Sequence, residues 1–192
     1  MGSMRLIALA IGYAFGLILS GYLFGKKNDV DIRKQGSGNI GTTNTMRILG
    51  IKVGALTLVC DCLKCVAAVV VVYVLFHNAY PDHIVLLELY GAIGAILGHD
   101  FPFFMKFKGG KGIACSFGMI VALFPQCLPI CVLIFILVVA ITRYVSLGSI
   151  LAVLALMAQV WIFGTKGWLR FATADVLEAQ ILVSFVCILA IV

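Results

Sequence analysis

Two segments of this 192-residue chain set glycines among hydroxyl, amide and basic side chains in a way that captures anions. The first is Gly36–Arg47, "GSGNIGTTNTMR". Gly36, Gly38 and Gly41 let successive backbone N–H groups turn toward one centre. A helix beginning just after such a loop adds its unpaired N–H groups and the positive end of its dipole. Ser37, Thr42 and Thr43, with the amides of Asn39 and Asn44, supply neutral donors. Arg47 follows with a planar fork suited to phosphate or carboxylate. The second segment is Phe107–Gly112, "FKGGKG", in which Lys108 and Lys111 flank Gly109-Gly110 and Gly112 follows. Together the two read as a site for at least one phosphate group. Arg47 and Lys111, embedded among glycines, are assigned to the ligand, because topology requires charge but no glycines. Lys26, Lys27, Arg33, Lys34 and Lys106 are assigned to topology and to anionic lipid.

Other readings of the same letters fail on context. Gly36-x-Gly38-x-x-Gly41, with Asp61 behind it, spells a dinucleotide-binding fingerprint, but that pattern must follow a buried strand. The residues before it, "KKNDVDIRKQ", are charged and make no strand. "FKGGKG" lacks the glycine spacing and the Ser/Thr of a nucleotide P-loop. Cys60, Cys62 and Cys65 approach metal-ligand spacing, yet no His or second Cys pair completes a tetrahedral set. The seven cysteines are therefore read as packing residues, and neither a metal nor a cofactor is expected.

Three further positions could support the loops. His99-Asp100 lies at the end of an apolar run, where His99 could act as a base, as a phosphate donor or as a helix-end residue bonded to a carbonyl. Asp61 and Lys64 stand three apart in another apolar run and can neutralise each other on one helix face, a structural support for the loops. Glu88 receives no role.

The elements that must hold these groups are membrane helices. Hydrophobic residues make up 63% of the chain and charged ones only 11%, more apolar surface than a soluble domain of this length can cover. Leu6–Phe24, Val53–Phe76, Ile84–Phe104, Leu147–Gly164 and Val176–Val192 each read as a span of about 30 Å of hydrocarbon. The first is longer than the apolar core of a cleavable signal and no small-x-small site follows it. Ile113–Thr142 is too long for one straight span and too short for two full ones, so Pro125 and Pro129 are expected to divide it into two short, protein-surrounded helices.

Charge orients the set. Lys and Arg at 26–52, 106–111 and 143 mark three cytoplasmic segments, and "HNAYPDH" at 77–83, with neither residue, fits outside. Lys166 and Arg170 fall outside, a mild violation softened by Asp175. The expected fold is all-α and integral to the membrane, a single polytopic domain with about seven spans and the N-terminus outside. Both glycine-rich loops then share the cytoplasmic face with the turn "RYVSLGS" at Arg143–Ser149, and no internal repeat is visible.

At these residues the chain resembles the bacterial acyl-phosphate:glycerol-3-phosphate acyltransferases, small polytopic enzymes that make lysophosphatidic acid. Gly36, Ser37, Gly38, Asn39, Gly41, Thr43, Asn44 and Arg47 match the first family motif, with Thr42 in place of Ala. Gly98-His99 and Phe107–Gly112 match the second; Asp61 and Lys64 match an Asp-x-x-Lys-Gly element in which Cys65 replaces Gly; Arg143, Tyr144 and Ser146 match an Arg-Tyr-x-Ser turn.

The resemblance implies attack of the glycerol 1-hydroxyl on the acyl carbonyl, with inorganic phosphate leaving. Ser37 and the amides around it would hold the leaving phosphate, and Arg47, Lys111 and Ser146 the glycerol 3-phosphate. The substrates would be fatty acyl phosphate and glycerol 3-phosphate, and the partners the bilayer and the soluble enzyme that makes acyl phosphate, with no nucleic acid. The setting would be the bacterial cell membrane, with the site facing the cytoplasm. No Ser-His-Asp set is present to form an acyl-enzyme, which favours direct transfer. In the family the last helix runs into an Arg-His-x-x-Asn-Ile segment, whereas this sequence stops at Val192. The expectation is a missing short cytoplasmic tail, which leaves the tail His, His99 and a substrate phosphate oxygen as candidate bases. His77-x4-Asp82 also matches the signature of acyl-CoA-type glycerolipid acyltransferases, but in the outer loop, far from the phosphate loops, and is taken as coincidence. The rival reading is a transporter or channel for a phosphorylated solute, which would show inverted repeats and a midplane site.

Overall fold

A computed structural model describes residues 1–191; Val192, with which the last expected span ends, lies outside the described residues. Nine α-helices occur among them: α1 (Gly2–Gly16), α2 (Ser20–Lys27), α3 (Thr42–Leu49), α4 (Ile51–Phe76), α5 (Ile84–Asp100), α6 (Ile113–Leu123), α7 (Leu128–Thr142), α8 (Val145–Thr165) and α9 (Val176–Ile191). Six helical stretches are long and apolar enough to cross a bilayer, and α6, with 11 residues, is a shorter apolar helix. In hydrocarbon every backbone polar group must find a partner within the protein, which is why uncharged runs of this length become helices. The protein is an all-helical integral membrane protein.

α5 is the centre. Leu86, Leu87, Leu89, Ala92, Ala95 and Ile96 are all 0% exposed, so the helix is enclosed on every side, as an all-round apolar helix should be. Against it α1 lies backbone to backbone. A Cβ on Gly16 would meet Ala95 O and Gly98 Cα, and one on Gly98 would meet Tyr13 O and Gly16 Cα. Small residues at such a crossing bring helices close enough for dense van der Waals contact, which replaces the hydrophobic drive that lipid removes. α6 packs equally closely on α4, its Gly118 lying against the Cys62 carbonyl.

Polar contacts tie the two ends of the bundle. At one end Arg5 of α1 donates to Glu178 of α9 at 2.7 Å, and Tyr90 of α5 donates to the other oxygen of the same carboxylate at 2.7 Å. Beside them His83 meets Asp175 at 2.8 Å. The glycine-rich loops lie at the opposite end.

Two expectations change. The run Leu6–Phe24 is not one helix, because it breaks at Leu17–Leu19 between α1 and α2. The freed carbonyls of Gly16 and Ile18 accept hydrogen bonds from Lys64 Nζ, so the break carries its own partner. The two helices of 113–142 are not alike either. α6 is short and enclosed, with seven buried residues. α7 with its preceding turn makes an 18-residue span that buries Cys127 in the turn and Cys131 in the helix and shows Leu133, Ile136, Leu137 and Ile141 outward. It packs mainly on α8 and turns its remaining faces to lipid.

Candidate active site

The first loop is braced from within. Asn44 is 2% exposed: its Oδ1 accepts the Ser37 N–H at 2.9 Å, and its Nδ2 donates to the carbonyls of Ile32, Gln35 and Asn39. Asn39 Oδ1 accepts the Gly41 N–H at 2.7 Å, and the Gly38 N–H goes to the Gln35 carbonyl. Sequence reading gave these amides to a ligand; the structure gives Asn44 wholly, and the Asn39 oxygen, to the loop's shape. Gly36 and Gly38 sit at φ +60 and +72, left-handed values that glycine adopts without strain. A Cβ on Gly36 would overlap Asn44 Oδ1 and stand 3.6 Å from Arg47 Cδ, so the bare glycine also seats the Arg47 stem. What faces solvent is Ser37, Thr43 and Arg47, at the start of a helix whose first bond runs from Thr45 N–H to Gly41 O. The N–H groups of Thr42, Thr43 and Asn44 precede that bond.

The segments that precede the two glycine-rich loops meet. Arg33 Nη1 donates to Met105 Sδ at 3.3 Å, and Met105 packs on the small core of Leu19, Ile32 and Ile40 beneath the first loop. Arg33 is held in turn by Asp31 at 2.8 Å and lies over the Tyr22 ring at 5.0 Å. That hydrogen bond keeps the Asp31 carboxyl at about 2, below its usual 3.8. Arg33, assigned by sequence to topology alone, is therefore also a strut between loops.

The second loop hangs from the end of α5. Gly109 N–H donates to Asp100 O and Gly110 N–H to His99 O, at 2.9 and 3.0 Å. A side chain at Gly110 would overlap the His99 ring at Nε2, so this glycine is what lets the loop lie flat on the imidazole. His99 is 2% exposed, and its Nδ1 is 2.8 Å from Lys64 Nζ. An ammonium only donates, so Nδ1 accepts and the ring proton sits on Nε2. With its lone-pair nitrogen taken, His99 has none left to receive a substrate proton. Its ring bonds Lys64 and not a carbonyl, so the helix-end arrangement expected from the sequence is not the one found, and the Nε2 side lies against Gly110.

Lys64 is the hub of this buried network. Besides His99 and the carbonyls of Gly16 and Ile18, it pairs with Asp61 Oδ1 at 2.9 Å, and Ser20 Oγ donates to the same oxygen. One i,i+3 pair therefore closes the helix break and, through His99, supports Gly110. Ser20 had no sequence signal, being a lone serine in an apolar run.

A cavity of about 340 Å³ opens beneath. Ile113, Ser116 and Phe117 at the start of α6 form one part of its wall and Ser149, Ala152 and Val153 of α8 another. The second glycine loop leads into that end of α6, and the turn containing Arg143 and Ser146 leads into α8. Arg143 itself is left-handed at φ +63, and Ser146 is exposed. Lys108 and Lys111 are exposed in the loop before α6. Among the described residues no hydrogen bond or ion pair joins Ser146 to Arg47 or Lys111; the cavity wall joins α6 and α8, which follow Lys111 and Ser146, and no residue of α3 takes part in it.

Comparison with known proteins agrees with this geometry. The family model described as glycerol-3-phosphate acyltransferase matches residues 6–192. The chain is 44% identical over 144 residues to the glycerol-3-phosphate acyltransferase of Trichlorobacter lovleyi, covering 75% of this chain and 71% of that one. It is 39% identical over 181 residues to that of Geotalea daltonii, covering 92% and 88%. Its fold matches PlsY (YgiH), an integral membrane glycerol 3-phosphate acyltransferase, in the glycerol 3-phosphate form, with TM-score 0.78 and 30% identity over 96% of this chain and 86% of that one. The lysophosphatidic acid form of that enzyme matches with TM-score 0.77 and 30% identity over 97% and 87%. The chain belongs to the glycerol-3-phosphate acyltransferase family.

Proposed function

We propose that this protein transfers a fatty acyl group from acyl phosphate to the 1-hydroxyl of glycerol 3-phosphate, at the cytoplasmic face of a bacterial cell membrane. The observation that carries the reading is an apolar cavity that begins at the start of α6, directly after the second glycine-rich loop, whose preceding turn is tied to the segment before the first loop by Arg33 and Met105. Two phosphate-bearing substrates need two anion contacts, and a fatty tail needs an apolar volume opening beside them. A cavity of about 340 Å³ is within the usual range for a small-molecule site. Relatives named for glycerol 3-phosphate, and a fold neighbour seen in forms with that substrate and with lysophosphatidic acid, support the acceptor and the product.

Ser37, the α3 N–H groups and Lys108 would hold the donor's phosphate, with Arg47, Lys111 and Ser146 on glycerol 3-phosphate. The 1-hydroxyl oxygen attacks the acyl carbon, the carbonyl electrons move onto oxygen, and collapse breaks the bond to the phosphate oxygen. With the His99 lone pair engaged by Lys64, the acceptors for the hydroxyl proton are a substrate phosphate oxygen, which this reading takes, and the family's tail His. Acyl phosphate is already activated, so positioning and charge neutralisation supply the catalysis. A soluble enzyme that makes acyl phosphate would be the natural upstream partner. The test is a donor comparison: purified protein in liposomes should acylate glycerol 3-phosphate from acyl phosphate and not from acyl-CoA. Preference for acyl-CoA would overturn the donor assignment, and solute uptake without acyl transfer would replace the enzyme with a transporter.

A further inference from the structure

Two helix hydroxyl oxygens, those of Thr42 and Ser116, are buried without a partner among the described residues, and of the two only Ser116 belongs to a residue lining the cavity. Thr45, Thr57, Thr142, Ser149 and Ser184 each donate to the carbonyl four residues back, the usual way a hydroxyl is satisfied inside a helix. Ser116 is 4% exposed, yet its Oγ has no partner among the described residues. The residue lines the cavity, its Oγ itself buried, and of the described residues with a buried polar side-chain atom that lacks a partner it alone does so. Around it the wall is apolar: Ile113, Phe117, Met119 and Ile120 from its own helix, with Val153 and Leu156 from α8. The other hydroxyl on the wall, Ser149, is bonded to Val145 O at 3.0 Å.

Its position along α6 matters. The first bond of this helix runs from Ser116 N–H to Gly112 O at 2.7 Å, so the N–H groups of Ile113, Ala114 and Cys115 are unpaired by the helix and lie at its positive end. Ser116 is about 6 Å of helix rise past Gly112. The carbonyl of an acyl phosphate is one bridging oxygen from its phosphate. A donor with its phosphate at the glycine loops and its tail in the cavity must bring that carbonyl past this turn.

Building on the acyl-phosphate reading above, we infer that Ser116 is a catalytic residue whose hydroxyl donates a hydrogen bond to the acyl carbonyl oxygen of the donor. The bond strengthens as negative charge develops on that oxygen during attack by the glycerol hydroxyl, and it is released when the bond to phosphate breaks. The proton path is unchanged, from glycerol hydroxyl to phosphate oxygen; Ser116 keeps its own proton and forms no acyl-enzyme.

The experiment compares wild type, Ser116→Ala and Ser116→Thr for transfer from acyl phosphate to glycerol 3-phosphate. Loss of one donor to a developing oxyanion should lower kcat by about 100-fold, with both KM values within about twofold and the thermal midpoint retained. Ser116→Thr, which keeps the hydroxyl, should retain most activity. A second readout is the infrared stretch of carbonyl-labelled acyl phosphate bound without acceptor, which should lie lower in wild type than in Ser116→Ala. If the alanine variant fails to fold, Ser116→Val against Ser116→Thr repeats the comparison at matched shape. A kcat within twofold of an active wild type, with an unmoved carbonyl band, would overturn the inference and leave the functional reading intact. Absence of transfer from acyl phosphate by wild type would overturn both.

Discussion

Replacing Lys64 with methionine is the sharpest perturbation of the fold that supports the site. Methionine keeps the apolar stem and removes the ammonium. Lys64 is 4% exposed on its side chain and Asp61 is 0%, so water cannot take over the lost contacts. The variant strands a buried carboxylate whose Oδ2 already has no partner, and it strips the donor from the Gly16 and Ile18 carbonyls at the helix break. Removing one partner of a buried ion pair costs about 3–5 kcal/mol, because the remaining charge stays desolvated. Each carbonyl left without a donor adds about 1–3 kcal/mol where relaxation cannot supply another. These contributions overlap, so the loss should be at least about 3 kcal/mol. For a chain of this size that is a fall of roughly 6–12 °C in thermal midpoint.

The assay is thermal unfolding in detergent, followed by the reactivity of thiols that folding hides. Cys65, Cys115 and Cys127 are all 0% exposed. The double variant Asp61→Asn, Lys64→Met removes both charges and should be less destabilised than the sum of the two single variants by more than about 0.5 kcal/mol, the margin for independent sites. A loss below about 1 kcal/mol for Lys64→Met, or strict additivity in the double variant, would refute the network. The Lys64 charge would then be solvated, with no hold on the helix break or on His99.

Other outcomes follow from the same geometry. Arg47→Ala or Lys111→Ala should each lower kcat/KM by about 30-fold or more with folding retained, as loss of a charge-assisted phosphate contact costs about 2–5 kcal/mol, whereas Lys27→Ala should change it less than twofold; equal small effects would return Arg47 and Lys111 to a topological role. Gly98→Ala should lower stability by about 1–3 kcal/mol, because its Cβ would strike the Gly16 Cα, while Gly2→Ala, with open space around it, should be neutral in the same unfolding assay. Asp31 should titrate by NMR near 2, and Arg33→Gln should return it toward 3.8. Because the folded value is the lower one, the contribution of this pair is fully present above pH 3.8 and is lost as pH falls through about 2. A cysteine at Asn78 should be labelled from outside intact cells by an impermeant reagent, and one at Gln35 only after permeabilisation; labelling of Gln35→Cys in intact cells would invert the threading.

The same amino acid explains both what the sequence revealed and what it hid. Gly36, Gly38, Gly109 and Gly110 were legible because they alternate with Ser, Asn, Arg and Lys, and such mixtures at the end of an apolar run have few uses besides anion capture. Gly12, Gly16, Gly91, Gly94 and Gly98 sit inside uniformly apolar runs, where each looks like weak helix former rather than contact surface. Only the crossing of α1 on α5 shows that Gly12, Gly16, Gly94 and Gly98 remove the side chains that would hold those backbones apart, while Gly91 makes room for Ala68 and Val72 of α4. The helix break was equally hidden. Residues 17–19 are Leu-Ile-Leu, with no proline or glycine among them to stop a helix. Its cause lies 45 residues downstream, in a lysine that can be read as paired with Asp61 but not as reaching two carbonyls of another helix. A local pattern cannot encode that distance.

Asn44 teaches the complementary lesson about the site itself. Its residue type fits a donor to phosphate, and its spacing from Gly36 fits the same role. Burial decides otherwise: at 2% exposure an amide with two donors and one acceptor must satisfy them locally, and the Ser37 N–H with three nearby carbonyls does so. The consequence for function is positive. A loop whose own N–H groups are engaged by Asn44 and Asn39 cannot collapse onto itself when no anion is present, so Ser37, Thr43 and Arg47 stay presented to solvent at fixed spacing. Holding donors in place before the substrate arrives is what makes them stabilise charge without reorganising during the reaction. The second loop uses a different brace for the same end, with the His99 and Asp100 carbonyls holding Gly110 and Gly109 from below and Lys64 holding His99. The exposed donors of both loops therefore stand on a buried polar network that holds their backbones in place.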